Sequence, residues 1–237
     1  MVYLRSGLFS LVLWVCLVVF CAAILVVVVL PYRRRYPWLM LFPRFHNWLL
    51  KTVCGLTFEV QGKEHIPQGA AVILAKHQST WETFAMATIF PPYVYVLKRE
   101  LMWLPFFGWA VALLHPIAID RGAGRVAVEQ IVTQGRERLE SGMSVFLFPE
   151  GTRMPAGTRG RYRIGGAVLA AQTGYPVVPV AHNAGTFWPR RGFVKRAGTI
   201  RVVIGAPITT RGKSPEQIIS EAETWIEGTM QRLETAN

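Results

Sequence analysis

A chain of 237 residues that is 51% hydrophobic and only 17% charged carries 26 lysines and arginines against 14 acidic residues, a formal net charge of +12. Disordered chains combine low hydrophobicity with high charge density, so that class is excluded. Three cysteines are too few and odd in number for a disulfide framework, and the length suits one domain with a self-sufficient core.

Residues 8–30 run for 23 positions without a charge, with Ser10 the only hydroxyl. About 20 apolar residues span a hydrocarbon core, whereas a secretory signal has an apolar region of about 7–15 residues before a small-residue cleavage site. The run ends in Pro31-Tyr32-Arg33-Arg34-Arg35, a stop-transfer flank, and Phe20 stands where a lipoprotein signal ending at Cys21 needs a small residue. The sequence therefore predicts a retained transmembrane helix over 8–30. Arg5 alone precedes it and three arginines follow, so the positive-inside rule sets the remainder in the cytoplasm. The expected location is the cell inner membrane, single-pass or monotopic, with the rest of the chain on the cytoplasmic side. Cys16 and Cys21 then lie in lipid and Cys54 in a reducing compartment, and no disulfide is expected. Residues 38–50, rich in Trp, Phe and Leu and interrupted by Pro43, read equally as an interfacial segment or as a core helix. The chain divides into a membrane anchor, 1–50, and a domain over 51–237.

From Pro31 to Lys213 there are 24 basic and 9 acidic residues, while the last 24 residues hold five glutamates and one arginine. The basic middle suits anionic lipid headgroups or an anionic substrate. No nucleic-acid motif accompanies it, and nucleic acid is not an expected partner.

β-rich runs fall at 57–60, 71–75, 93–97, 116–119, 144–148, 177–180 and 199–204, with helical patterns at 81–90, 125–140 and 164–173. A final helix begins at Ser214 as N-cap with Pro215 at its first position and Gln217 closing a capping box. Strands alternating with helices predict an α/β domain with a mostly parallel central sheet flanked by helices, preceded by the transmembrane helix and the interfacial segment. Ligands in such folds collect at the carboxyl ends of the strands.

Polar clusters stand at those ends. Lys76-His77-Gln78-Ser79-Thr80-Trp81-Glu82 follows the second strand. Ser79 and Glu82 have capping-box spacing. Alternatively, Glu82 accepts from the His77 Nδ1–H, fixes the tautomer and makes His77 a general base. The residues alone leave these two readings open. Phe148-Pro149-Glu150-Gly151-Thr152-Arg153 follows the fifth strand, where backbone N–H groups and Arg153 suit an oxyanion. Arg121 after Ile119-Asp120, and Lys98 after the third strand, add cations at the same edge.

Gly122-Ala123-Gly124-Arg125-Val126-Ala127 has nucleotide-fingerprint spacing but follows the fourth strand, a weak match. The Gly205 to Ser214 stretch separates its glycines by six residues where a P-loop needs four. There is no G-x-S-x-G elbow. His46, His65, His115 and His182 lack metal-ligand spacing, and no metal is expected.

His77 with Glu82, Pro116-Ile117-Ala118-Ile119-Asp120-Arg121, Phe148-Pro149-Glu150-Gly151-Thr152-Arg153 and Val177-Val178-Pro179-Val180 match, in order and spacing, the four blocks of the glycerolipid acyltransferase family. The resemblance covers about residues 51–207, with Glu82 where the family usually has Asp. It implies acyl transfer from acyl-CoA or acyl carrier protein to the sn-2 hydroxyl of lysophosphatidic acid at the lipid bilayer, giving phosphatidic acid in phospholipid biosynthesis. His77 and Glu82 would be catalytic; Arg153, supported by Arg121 and Lys98, would bind the substrate phosphate; Glu150, Gly151 and Thr152 would form the substrate loop. No cofactor is implied beyond the acyl donor. Another lysolipid, such as a lyso-ornithine lipid, or glycerol 3-phosphate is the alternative acceptor. A lipid-binding protein without chemistry is a further alternative.

Overall fold

The computed structural model describes residues 1–90 and 92–235. The strands β1 (Leu56–Gln61), β2 (Val72–Ala75), β3 (Tyr93–Lys98), β4 (Ile117–Ile119), β5 (Ser144–Leu147), β6 (Val177–His182) and β7 (Gly198–Ile204) form one sheet in the order β1-β7-β6-β2-β5-β3-β4. All neighbouring pairs are parallel except β6 with β7. The α/β reading with a mostly parallel sheet therefore holds, with β1 and β7 running opposite to the rest.

The helices are α1 (Val2–Ile24), α2 (Tyr32–Leu39), α3 (Leu41–Leu49), α4 (Trp81–Ile89), α5 (Phe107–Ala112), α6 (Arg125–Glu140), α7 (Gly165–Thr173), α8 (Ala184–Phe187) and α9 (Pro215–Thr235). α9 opens as its sequence predicts: the Ser214 amide donates to Gln217 Oε1 at 2.8 Å and the Gln217 amide to Ser214 Oγ at 3.3 Å. Neither α5 nor α8 has a sequence signal, because four to six residues are too few to show a helical period.

The central strands deal alternate residues to opposite faces, as strand geometry requires. Ala71, Ile73 and Ala75 of the β2 segment join Phe146, Val178, Val180, Ile200 and Val202 in one core, which α1, α3 and α4 cover. Val72, Leu74, Val145 and Val177 face the other way and meet Leu139, Leu169, Ile218 and Ile226 from α6, α7 and α9. This two-sided burial makes the strands read as continuous apolar runs. Because β2, β3, β4, β5 and β6 run in one direction, their carboxyl ends, and the polar clusters that follow them, share one edge.

The apolar N-terminal run starts six residues earlier than its charge-free part suggests, at Val2, and its α-helix gives way to a tighter 3-10 turn at Leu25–Val29. Val2–Val29 is long and apolar enough to cross a membrane. One stripe of it docks on the domain. Phe9 packs edge-on against His46 and Trp188, the Lys195 amide donates to Ser6 Oγ at 2.9 Å and Lys195 Nζ to Ser10 Oγ at 2.7 Å. Further along, Cys21 and Ile24 pack with Leu39, Met40, Ala110 and Leu113. Leu4, Leu8, Leu11, Trp14, Val15, Val18 and Val19 form the exposed apolar remainder. Residues 38–50 divide at Met40, between α2 and α3. Pro43 does not break the segment, since in the first turn of a helix its missing N–H has no intrahelical acceptor to lose. Phe42 and Leu49 of α3 are buried while Leu41 and Trp48 are exposed, so this helix has a core side and an open side.

Candidate active site

Chain leaving β2 turns into α4 through a buried loop, Lys76 to Thr80. Glu82, fully buried one turn into α4, reaches back over that loop. Its Oε1 accepts from the His77 ring Nδ1 at 2.9 Å and from the amides of Gln78 and Ser79 at 2.8 and 2.7 Å; its Oε2 accepts from Ser79 at 3.0 Å. The Ser79 hydroxyl accepts from the Trp81 amide at 3.2 Å. The capping reading and the dyad reading are thus the same carboxylate: Glu82 satisfies helix N-terminal donors and orients His77 at once. Position 82 accommodates the extra methylene of Glu because the side chain folds back within a capping turn.

Burial opposes ionisation of Glu82, but nearby His182, the His77 hydrogen bond and the Ser79 amide outweigh it, and the carboxyl lies below its usual range. Burial pushes the His182 pKa down, so His182 is neutral near pH 7, and there the hydrogen bonds, rather than a His182 charge, hold Glu82 ionised. His182 Nε2 meets the Lys76 carbonyl at 2.9 Å while the Ala184 amide donates to Nδ1 at 3.3 Å, which fixes an Nε2–H tautomer that braces the loop from beneath.

His77 stacks on Phe148, ring centroids 3.9 Å apart and planes 15° apart. With Nδ1 committed to Glu82, Nε2 is the ring nitrogen left for a substrate. Backbone contacts clamp the residue as well: its amide donates to Glu150 Oε2 at 3.0 Å, and its carbonyl accepts from the Met154 amide at 2.7 Å. Glu150 Oε1 accepts from Lys76 Nζ at 2.8 Å and from the Gly160 amide at 3.1 Å. Lys76 Nζ also donates to Glu227 Oε1 at 2.9 Å and to the Thr158 carbonyl at 3.0 Å, and Tyr162 donates to the same Glu227 oxygen at 2.8 Å. Both Glu150 oxygens are therefore engaged in ordering the loops, and α9 is tied to the site through Glu227.

A cavity of about 770 Å³ opens on this edge, and His77, Phe148, Lys98, Arg121, Thr152 and Arg153 all line it. Glu82 lies behind His77, and Glu150 and Gly151 lie behind the loop that carries Thr152 and Arg153. Gly151 has φ +67, a left-handed conformation that favours glycine, and a side-chain carbon there would displace the Arg163 side chain, whose Nε would lie 2.8 Å away. Arg121 donates to the Gly151 carbonyl at 2.7 Å. Burial lowers its pKa, and the neighbouring charges of Arg163 and Arg153 lower it further. Arg153 donates to Thr83 Oγ1 at 3.3 Å, while its buried Nε has no partner among the described residues. Lys98 is exposed and paired with Glu100 at 2.8 Å. Much of the remaining lining is apolar, with Leu17, Phe20, Leu39, Phe84 and Val111 on the walls. Arg190 and Arg191, which carry no motif in the sequence, also line it.

The acyltransferase family profile matches residues 57–183. A 1-acyl-sn-glycerol-3-phosphate acyltransferase of Pseudomonas aeruginosa is 48% identical over 209 residues, covering 86% of this chain and 81% of that protein. The chain belongs to the acyltransferase family. A Saccharomyces cerevisiae acyltransferase of the same name is 32% identical over 180 residues, covering 74% of this chain and 59% of its own. The crystal structure of the 1-acyl-sn-glycerophosphate (LPA) acyltransferase PlsC from Thermotoga maritima superposes with a TM-score of 0.80 over 98% of this chain and 95% of that one, at 21% identity. That likeness shows a shared fold. Acyl transfer is accordingly the chemistry of this acyltransferase, and the groups gathered at its cavity are those available to perform it.

Proposed function

We propose that this acyltransferase moves a fatty acyl group from an acyl thioester, carried by coenzyme A or acyl carrier protein, to the sn-2 hydroxyl of 1-acyl-sn-glycerol-3-phosphate, yielding phosphatidic acid. The observation that carries the reading is the composition of the His77 cavity: Arg153, with an idle buried donor, and Arg121 share its lining with a large set of apolar side chains. A phosphorylated single-chain lipid has the matching polarity.

In this mechanism His77, its Nδ1 held by Glu82, takes the proton of the acceptor hydroxyl on Nε2 as the oxygen attacks the thioester carbonyl. The tetrahedral intermediate collapses with cleavage of the C–S bond, and the imidazolium returns the proton to the departing thiolate. The ester and a free thiol result, with no acyl-enzyme. Arg153 and Arg121 hold the acceptor phosphate with charge-assisted hydrogen bonds, Lys98 adds charge at the rim, and Thr152 lies on the same wall. This positions the hydroxyl relative to His77. Residues 1–50 serve as membrane anchor and 51–237 as the acyltransferase domain, on the cytoplasmic side of the inner membrane. The docked stripe of α1 favours monotopic attachment: a helix fastened along its length to the domain brings its exposed Leu, Val and Trp side into one leaflet instead of crossing alone.

The test is an assay of the purified chain in detergent with lysophosphatidic acid, other lysolipids, a lyso-ornithine lipid and glycerol 3-phosphate as acceptors. Lysophosphatidic acid should be the preferred acceptor, and His77→Ala should lower turnover about 10²–10⁴-fold. Preference for an acceptor without phosphate, or turnover retained in His77→Ala, would sink the reading.

A further inference from the structure

A second cavity, of about 580 Å³, adjoins the first, and Arg190 and Arg191 belong to both. Its other walls include Arg196, Thr186, Pro155 and Gly185. Two segments of its lining are bonded to the His77 loop. Pro155 follows Met154, whose amide is bonded to the His77 carbonyl. The Gly185 amide donates at 3.2 Å to the side-chain oxygen of Gln78, the residue after His77. That leaves the Gln78 Nε2 group buried without a partner among the described residues.

The three arginines have neither ion pair nor side-chain hydrogen bond among the described residues. They are carried by a fixed loop. The Gly192 amide donates to the Pro189 carbonyl at 2.8 Å, Trp188 Nε1 donates to the Gly192 carbonyl at 3.1 Å, and Lys195 ties the far end to α1. Arg191 within that turn has φ +57, a conformation that a non-glycine residue adopts at a cost. Three like charges thus share one cavity wall without a counter-charge among the described residues, an arrangement that suits an anion.

Two phosphate-bearing molecules must meet at His77 in the proposed reaction. The acceptor phosphate is provided for by Arg121 and Arg153, and acyl chains by the apolar lining. The donor's arm needs another way out. Acyl-CoA and acyl carrier protein present their thioester on the same 4′-phosphopantetheine, whose one phosphate lies at the end away from sulfur. We infer that the second cavity takes this arm, with Arg191 and Arg196 on its phosphate and Arg190 at the junction with the catalytic cavity. The inference rests on the thioester-donor reading above.

The experiment compares kcat/KM for an acyl-4′-phosphopantetheine with that for the corresponding acyl-pantetheine, which differs by the phosphate alone, using the full chain in detergent with saturating acceptor. The wild type should prefer the phosphorylated donor, and Arg196→Ala and Arg191→Ala should each lower that preference roughly tenfold. The preference is a ratio, so a smaller folded fraction cancels. Acyl-CoA and acyl carrier protein should lose by a similar factor against acyl-pantetheine, with the acceptor KM unmoved. A loss confined to acyl-CoA would assign the arginines to the nucleotide, and one confined to the carrier protein to its acidic surface; either overturns the inference. So does a raised acceptor KM, or weaker binding to phosphatidylglycerol vesicles with the donor preference intact. If the wild type turns over no thioester, the proposed function fails instead. Calorimetric binding of 4′-phosphopantetheine to wild type against Arg196→Ala then still decides the site: equal affinity overturns it.

Discussion

The buried shelf under His77, built by the loop after β2 with Glu150 and Glu227, and the cationic wall of Arg121 and Arg153 face one cavity, yet they treat charge in opposite ways. Around the first, charges are closed in pairs: Lys76 meets Glu150 and Glu227, and Glu82 takes His77 and two backbone amides. On the cationic wall, Arg153 of the loop after β5 keeps a buried donor idle and Arg121 of the loop after β4 endures the field of Arg163 and Arg153. Full satisfaction suits a group that must hold one geometry before the substrate arrives, since a buried unpaired charge costs several kcal/mol. Unspent donors suit a group whose partner comes from outside. The shelf under His77 should therefore fail by unfolding or misalignment, and the cationic wall by loss of affinity with the fold intact.

The largest effect should come from the shelf. Lys76→Met removes the cation from a site where its side chain is 1% exposed and leaves the fully buried Glu150 carboxylate without its countercharge. Breaking such a pair from one side costs about 3–5 kcal/mol. Denaturant unfolding should register a loss of that size, and α9 should loosen with it because Glu227 loses the same partner. A loss under about 1 kcal/mol, the range of exposed pairs, would mean that the network only decorates the loops and would erase the contrast with the wall.

Glu82→Gln sharpens the same side. An amide keeps one acceptor oxygen but brings a donor toward the Ser79 and Gln78 amides and His77, so a drop in kcat of about 10–100-fold should accompany a stability loss of about 1.5–3 kcal/mol. The wild type should also carry an acid signature. Glu82 has a folded pKa below its ordinary 4.5, so the unfolded state binds its proton first as pH falls. The contribution of Glu82 to stability is thus present above about pH 4.5 and is lost as pH drops through the folded value. Glu82→Gln should flatten that part of the stability-pH curve; an unchanged acid limb would remove Glu82 from the account.

The contrast also explains what the sequence displays. The His77–Glu82 pair is legible because five residues of chain and a helix start bring it together, and the apolar runs of β2, β5 and β6 announce a sheet buried on both faces. Lys76 with Glu150 and Glu227 is not legible, because 74 and 151 residues separate the partners and no local period links a glutamate on α9 to a lysine after β2. The docked side of α1 is hidden for another reason: a helix apolar all round has no amphipathic stripe, and its orientation is set by Ser6 and Ser10 meeting Lys195 across 189 and 185 residues. Arg190 and Arg191 reach the site on a turn with no periodic signal. Capping turns and strand patterns are local physics; networks that tie one loop to another are products of the fold.

The wall supplies the finest distinction, between two cations on the same cavity. Arg153 is half-buried with an unpaired Nε, so Arg153→Ala should raise the KM for a phosphorylated acceptor about 10–100-fold, the loss of one or two hydrogen bonds to a charged group. Among the described residues its side chain makes one hydrogen bond, 3.3 Å to Thr83, so stability should stay within about 0.5 kcal/mol of wild type. Lys98 lines the same cavity, but Glu100 already sits 2.8 Å from its ammonium and the two side chains are 49% and 41% exposed. Water screens that pair, and exchanging Glu100 for phosphate gains little, so Lys98→Ala should move the same KM less than about threefold. Equal effects from the two substitutions would mean that net charge at the rim, rather than idle buried donors, recruits the phosphate. Raising ionic strength separates the cases directly: screening should erode the Lys98 contribution first, because the Arg153 donor acts inside the wall and the Lys98 ammonium acts in solvent.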